Sequence, residues 1–270
     1  MGLLLQRLLI VLNDEDYNST PYYIAMTMLN NFYLINELTI SELAKLCNVS
    51  KSTISKFIRE IGFEDYTDFR VAAPFIENRY KNELNYNTNV MGYMSEKGLE
   101  GYFEAIIGDI KDYWHDIDMD KIDELAKDLV DYKIVASFGL MYSESAAIDF
   151  QTKLAYNKKF IITKLSDVKQ DEFIENAGED TLIIIFTNSG NYIKKYQITE
   201  GNLEKSVFDR TRAKVVVITS NKEMEQDPRV DLCVLFKHTS KMQTHPIMFQ
   251  IISDLIVHRY RLYSKGREKL

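Results

Sequence analysis

Apolar residues recur every three or four positions through residues 1–80. Tyr23, Met26 and Leu29, then Phe32 and Leu34, then Ile40, Leu43, Ala44 and Leu46 mark successive helical faces. The run LLLQRLLIVL (3–12) predicts a buried amphipathic first helix; it is about half the length needed to span a bilayer. Pro21 and Pro74 suit helix starts or breaks. The polar stretch NELNYNTNV (82–90) predicts a linker or a frayed helix end, and helical periodicity resumes from Leu99 to Trp114 and from Asp120 to Leu129.

Beyond residue 130 the pattern changes. Short apolar runs, many of them β-branched, alternate with amphipathic segments: KIVASF (133–138), KFIITKL (159–165), TLIIIFT (181–187), KVVVIT (214–219) and DLCVLF (231–236). Continuous rather than alternating apolar strands are buried on both faces, and helices between them imply a doubly wound parallel sheet with right-handed crossovers. A long amphipathic helix from about His245 to Ser264 follows. The expectation is a multidomain chain, α then α/β, with an all-helical head over 1–80, a linker over 81–98 and an α/β domain over 99–270. A length of 270 residues suits two domains at about 150 residues each.

The most specific local pattern is TISELAKLCNVSKSTISKFIREIGF (39–63). Thr39 followed by Glu42 is a capping box that starts one helix. Asn48-Val49-Ser50 makes a short turn, Ser50 caps a second helix with the apolar face Ile54, Phe57, Ile58 and Ile61, and Gly62 ends it. Ser50, Lys51, Ser52, Thr53, Ser55, Lys56 and Arg59 are left facing outward. Hydroxyls and cations on the first turns of a second helix are what a helix-turn-helix presents to the major groove. The alternative is a helical hairpin with a solvated charged face.

Charge limits how such a head would work. The chain carries a net charge of −7, and residues 1–80 hold seven Lys/Arg against ten Asp/Glu. Affinity for DNA must therefore come from a local basic patch rather than from the whole surface. Cys47 and Cys233 form no metal or disulfide pattern, which suits a reduced, cytoplasmic setting. No cofactor or metal is expected.

ISELAKLCNVSKSTISKFIREIGFEDYTDFR resembles the amino-terminal helix-turn-helix of the RpiR-type family of bacterial transcriptional regulators, and the resemblance extends through the second half of the chain. It implies a carboxy-terminal SIS (sugar isomerase) domain that senses phosphosugars. The family's glycine-rich turn matches Gly139 and Ser143, with Met141 in place of its second glycine. The family's Ser-x-Ser-Gly-x-Thr phosphate loop matches Thr187, Ser189 and Gly190, with Tyr192 where a Thr hydroxyl would complete the cradle. Ile218 to Ser220 agrees with its fourth strand end.

A physical case for an anion at TNSGN stands beside the resemblance. Gly190 permits close backbone approach, Thr187, Ser189 and Asn191 supply short polar groups, and a following helix would aim amides at the ligand. Lys194 and Lys195, one turn into that helix, add charge. The competing reading is a tight strand-to-helix connection in which Ser189 or Asn191 only caps the helix.

An isomerase would need a general base. Among His115, His238, His245 and His258, only His245 opens a helix that can approach the site, and Glu144 beside Ser143 is the best carboxylate. These make no catalytic constellation, so no catalytic residue is expected. The sequence predicts a homodimeric or homotetrameric regulator of a palindromic double-stranded DNA operator with a phosphosugar effector and no membrane association. The helices between 99 and 130 and the last helix would build the oligomer. A degenerate SIS domain used for oligomerisation or protein partners is the alternative, and a phosphosugar isomerase is a further one.

Overall fold

The computed structural model describes residues 3–73, 87–194, 205–238, 240 and 242–267. Pro74, Lys195 and the start of the expected linker, residues 81–86, lie outside them. The chain forms two compact units, one containing the described residues up to 73 and the other those from 87 onward.

Among its described residues the first unit has five α-helices, α1 (Leu3–Asp14), α2 (Thr20–Asn30), α3 (Ile40–Leu46), α4 (Lys51–Glu60) and α5 (Tyr66–Ala72), and a 3-10 turn at Phe32–Leu34. Leu4 and Leu8 of α1 join Ile24, Met28, Leu43, Ile54, Phe57 and Phe69 in one core. Helix α2 is turned from its expected register. Ile24, Ala25 and Met28 are buried while Tyr23 is exposed. Apolar residues surround α2, so periodicity alone does not choose its face, and packing on α1 does. Arg7, buried in α1, donates to the Gly62 carbonyl at 2.8 Å and stacks 4.4 Å over the Phe63 ring.

The second unit opens with a π-helical turn, Asn87–Met91. It is followed by α6 (Gly92–Asp116), which breaks at Gly98 (φ 70°), and α7 (Met119–Asp131). Asn89 lies in the stretch expected as linker, yet it is buried and accepts from the Gln243 amide at 2.6 Å. The sheet strands are β1 (Ile134–Phe138), β2 (Thr181–Phe186), β3 (Lys214–Thr219) and β4 (Leu232–Leu235), all parallel in the order β1-β2-β3-β4. Between and after them run α8 (Tyr142–Ala155), α9 (Asp167–Asn176), α10 (described over Asn191–Lys194), α11 (Val207–Arg210) and α12 (His245–Arg267).

The expected strand at 159–165 is the correction. Only Ile162 bridges to Ala136, flanked by the hydrogen bonds Ser137 N–H to Ile162 and Ile162 N–H to Val135. Phe160 is exposed and the apolar residues of this segment are not jointly buried, so the ladder stops after one rung. That rung still fixes the topology. The 162 segment follows β1 in sequence but lies on the side of β1 away from β2, so the direction of sheet growth reverses between β1 and β2. This is the topological switch point of a doubly wound sheet, whose crevice receives ligands beyond the strand carboxyl ends.

The sheet separates two apolar layers. One combines α7, α8 and α12 with Leu182, Ile184, Phe186, Val216 and Ile218. The other combines α9, α10 and α11 with Ile183, Ile185, Val215 and Val217. All six residues of β2 are buried, as a central strand between helical layers requires.

Candidate nucleic-acid interface and ligand site

In the first unit the turn between α3 and α4 follows from its residues. The Thr39–Glu42 capping box is formed in both directions, with Thr39 N–H donating to Glu42 at 2.8 Å. Asn48 takes φ 49°, and the amides of Asn48 and Val49 close on the carbonyls of Lys45 and Ala44. That is a Schellman closure with Asn in the left-handed position, where Asn is tolerated better than most residues. Gly62 (φ 89°) and Phe63 end α4 in the same way, on the carbonyls of Arg59 and Ile58.

Ser50 accepts from the Thr53 amide at 3.1 Å and lies within hydrogen-bond distance of the Ser52 and Thr53 hydroxyls. Its hydroxyl is thus occupied as a cap. Ile54, Phe57 and Ile58 are buried, while Lys51, Ser52, Lys56 and Arg59 are exposed and Thr53 and Ser55 half-buried. Lys56 shares its charge with Glu60 at 3.5 Å, an exposed pair one turn apart. The resulting face has three cations, one of them, Lys56, in a weak and exchangeable ion pair.

In the second unit, Gly139 and Ser143 follow β1 while Thr187, Ser189, Gly190 and Asn191 follow β2. The two loops therefore leave neighbouring strand ends at the switch point. Gly139 has no space for a side chain, since a Cβ would meet the Ser143 carbonyl oxygen at 2.4 Å. Gly190 is required twice over, by φ 76° and by Met224, whose sulfur would lie 2.6 Å from a Cβ. Ser189 is exposed and accepts from the Asn191 amide at 3.3 Å; Thr187 and Ser143 are buried.

The strand end at 218–220 holds this loop. The hydroxyls of Thr219 and Ser220 donate to the Asn188 carbonyl at 2.9 and 3.0 Å, and Asn221 donates to the Ser189 carbonyl at 2.8 Å. The described helical residues after the loop are Asn191–Lys194 of α10. Lys194 pairs with Glu223 at 2.9 Å, which lowers the Glu223 carboxyl below its ordinary value.

Tyr192 does not occupy the cradle. Its ring is buried against Phe208 on the α9 side of the sheet, with the Lys205 ammonium 4.0 Å from its centroid. Its hydroxyl donates to Gln170 at 2.6 Å, and the Gln170 amide donates to the carbonyls of Gly139 and Lys164. Gln170 therefore ties the loop after β1 to the turn after β2. Sequence reading missed it, because a single Gln inside an amphipathic helix has no distinguishing pattern. Burial raises the Tyr192 phenol well above its ordinary pKa and lowers that of Lys205, whose partner Asp171 works in the opposite direction.

Met141 is the other departure from the glycine-rich turn. It caps α8 with φ 59° and ψ −119° and no side-chain hydrogen bond. His245, at the start of α12, is buried among Tyr142, His238 and Phe249, and burial with His238 nearby lowers its pKa to about 3. No group of three metal-ligating side chains occurs among the described residues. No helix among them is long and apolar enough to cross a membrane.

Residues 10–74 match the model of the helix-turn-helix domain of the rpiR family. The head is thus similar to the helix-turn-helix domain of the rpiR family. An uncharacterized HTH-type transcriptional regulator of Providencia stuartii is 28% identical over 167 residues, which cover 60% of this chain and 56% of that protein. The HTH-type transcriptional regulator GlvR of Bacillus subtilis is 38% identical over 60 residues, 22% of each chain. The aligned portions thus span about half, or less, of these relatives' own lengths. The NanR protein of Vibrio vulnificus, solved as a complex with ManNAc-6P, superposes with a TM-score of 0.51 at 16% identity, covering 98% of this chain and 94% of that one. The expected architecture, a helical head with a helix-turn-helix followed by a doubly wound parallel sheet, is the one observed.

Proposed function

We propose that the protein is a DNA-binding transcriptional regulator, not an enzyme, whose SIS-type unit responds to a phosphorylated sugar. The outward face of α4 carries the reading. The face is doubly capped, free of acids from Lys51 to Arg59, and set in an rpiR-family head. Lys51, Lys56 and Arg59 would neutralise phosphates while Ser52, Thr53 and Ser55 approach base edges and backbone, with Ser50 holding the helix start. One head offers few cations, so a homodimer or homotetramer on a palindromic site would supply the affinity.

Gly139, Ser143, Thr187, Ser189, Gly190 and Asn191 are the proposed phosphosugar cradle. The switch-point placement and the two glycines that admit no side chain support it. The buried, engaged Tyr192 leaves the cradle open while adding no hydroxyl to it. By linkage, the sugar must bind the DNA-competent and DNA-incompetent forms with different affinity to regulate anything.

Two measurements test this. Duplexes selected from a random library should bind with nanomolar to micromolar affinity, and Lys56→Ala with Arg59→Ala should remove that binding while the fold persists. Unchanged binding would sink the DNA assignment. Thermal shift across a panel of phosphosugars should find at least one stabilising ligand at millimolar concentration, and that shift should vanish in Ser189→Ala with Thr187→Val. A flat panel would favour a body used only for assembly.

A further inference from the structure

Where the chain coming from the head enters the second unit, a break and a brace stand together. Gly98 interrupts α6 with φ 70° and ψ −176°, a backbone conformation essentially confined to glycine. A Cβ there would meet nothing within 4 Å, so the demand for glycine is conformational rather than steric. The π-helical turn Asn87–Met91 and residues 92–97 lie before the break, and residues 99–116 of α6 lie after it.

The connection from β4 to α12 holds both sides of that break. After it, Asp109 is 1% exposed and accepts from the Ser240 amide at 3.0 Å and from the Thr244 hydroxyl at 2.5 Å. Before it, buried Asn89 accepts from the Gln243 amide at 2.6 Å. The connection is also tied to itself, since the Thr244 amide donates to the Met242 carbonyl at 2.9 Å and His238 Nε2 lies 2.7 Å from that carbonyl. Buried hydrogen bonds to both sides of a break fix its angle, because a change of angle would strand a buried polar group. The parallel order of the sheet sends this connection out at the same end as the loop carrying Gly139 and Ser143. The two elements touch there. His245, the residue after Thr244, packs edge-on against Tyr142, the residue before Ser143, with ring centroids 6.1 Å apart.

We propose that this brace passes occupancy of the cradle to the segment leading to the head, an assignment that rests on the phosphosugar and DNA readings above. An anion at Ser143 fixes Tyr142 and with it His245. Thr244, Ser240 and Gln243 then hold the Gly98 hinge at the angle described here. The effector thus favours the braced form, and the DNA response follows from that differential affinity.

Hydrogen exchange on the full chain tests this, with inorganic phosphate and with the phosphosugar of largest thermal shift as probes. Amides of 139–143 should slow when the probe binds, and those of 87–91 and of Gln243 should slow with them by about fivefold or more. Thr244→Val and Asn89→Ala each remove one strut and leave Asp109 in place. In both, the cradle amides should still slow while 87–91 no longer responds. The effect of the phosphosugar on duplex affinity should fall to within about twofold of none, with affinity in its absence unchanged. Gly98→Ala should do the same, because alanine does not hold that backbone conformation. Asp123→Asn, which breaks the pair with Arg259 between α7 and α12, should keep both responses. A cradle that slows while 87–91 does not respond in the unaltered chain overturns the proposal. So does an equal response in Thr244→Val and Asn89→Ala, or a response lost in Asp123→Asn, which would trace the coupling to general loosening. If no cradle amide slows with either probe, the phosphosugar reading itself fails and the brace falls with it. The exchange readout needs no DNA, so a failure of the DNA reading shows separately in the duplex titration.

Discussion

Two residues in the loops beyond the carboxyl ends of the strands are under opposite backbone demands. Gly190 sits at φ 76° beside the Met224 side chain, so Gly190→Ala combines strain with a steric conflict. Unfolding in urea should show a loss of about 1–3 kcal/mol. Met141 holds a conformation that suits glycine, φ 59° and ψ −119°, and pays for it without a compensating cap. Met141→Gly should therefore raise the midpoint of thermal unfolding by a few degrees, despite glycine's larger chain entropy, and should strengthen any phosphosugar shift. A lower midpoint would show that the Met141 side chain contributes more by packing than its backbone costs. His245 gives a pH dependence of known sign. Its folded pKa, lowered to about 3 from 6.5, keeps it neutral while the unfolded chain takes up a proton. Stability should thus fall as pH drops below about 6.5, by up to about 1.4 kcal/mol per unit. His245→Phe, which can keep the contacts with Tyr142 and Phe249, should flatten that slope between about pH 6.5 and 5.5 with the neighbouring His238 unchanged.

At the scale of elements, the two kinds of signal in the sequence fared differently. Capping chemistry is local, so Thr39, Ser50 and Gly62 were legible and form the caps they imply. Continuous apolar runs marked the four strands, because a strand covered on both faces leaves no polar position to confuse the pattern. KFIITKL failed because its apolar residues meet the sheet at one rung only, and strand composition does not say whether a neighbour runs alongside. The face of α2 failed for the opposite reason, an excess of apolar choices. The candidate site was half legible. Its glycines and hydroxyls were visible, but Gln170 and the inward turn of Tyr192 depend on contacts between distant segments. Gln170→Leu should cost about 2–4 kcal/mol, since it strands a buried hydroxyl and two carbonyls. Tyr192→Phe should cost about 1 kcal/mol, and the pair together less than the sum, because the second change removes a partner already lost. Additive losses in that double-mutant cycle would show that the bridge from Gly139 to Tyr192 carries no coupling.

At the scale of the whole molecule, the charge balance decides how DNA would be held. A chain of net charge −7 has no general attraction for a polyanion, so the few cations of α4 must supply the counterion release. Lys56 must also exchange Glu60 for phosphate, a small cost because the pair is exposed and 3.5 Å apart. The logarithm of the binding constant should therefore fall with the logarithm of salt at a shallow slope. Each phosphate neutralised contributes about −0.9 to that slope. A dimer using Lys56 and Arg59 in both heads has four such contacts, so converting both residues to Ala should remove about 3.6 from the slope, and a single head about half of that. The loss should be nearly uniform across binding sequences, whereas Ser52→Ala or Thr53→Val should discriminate among them and leave the slope in place. Titrating all four proteins against matched and scrambled duplexes at several salt concentrations separates the two effects. If the cation substitutions change sequence preference but not slope, α4 is reading bases with its charges and the phosphates are held by another part of the head.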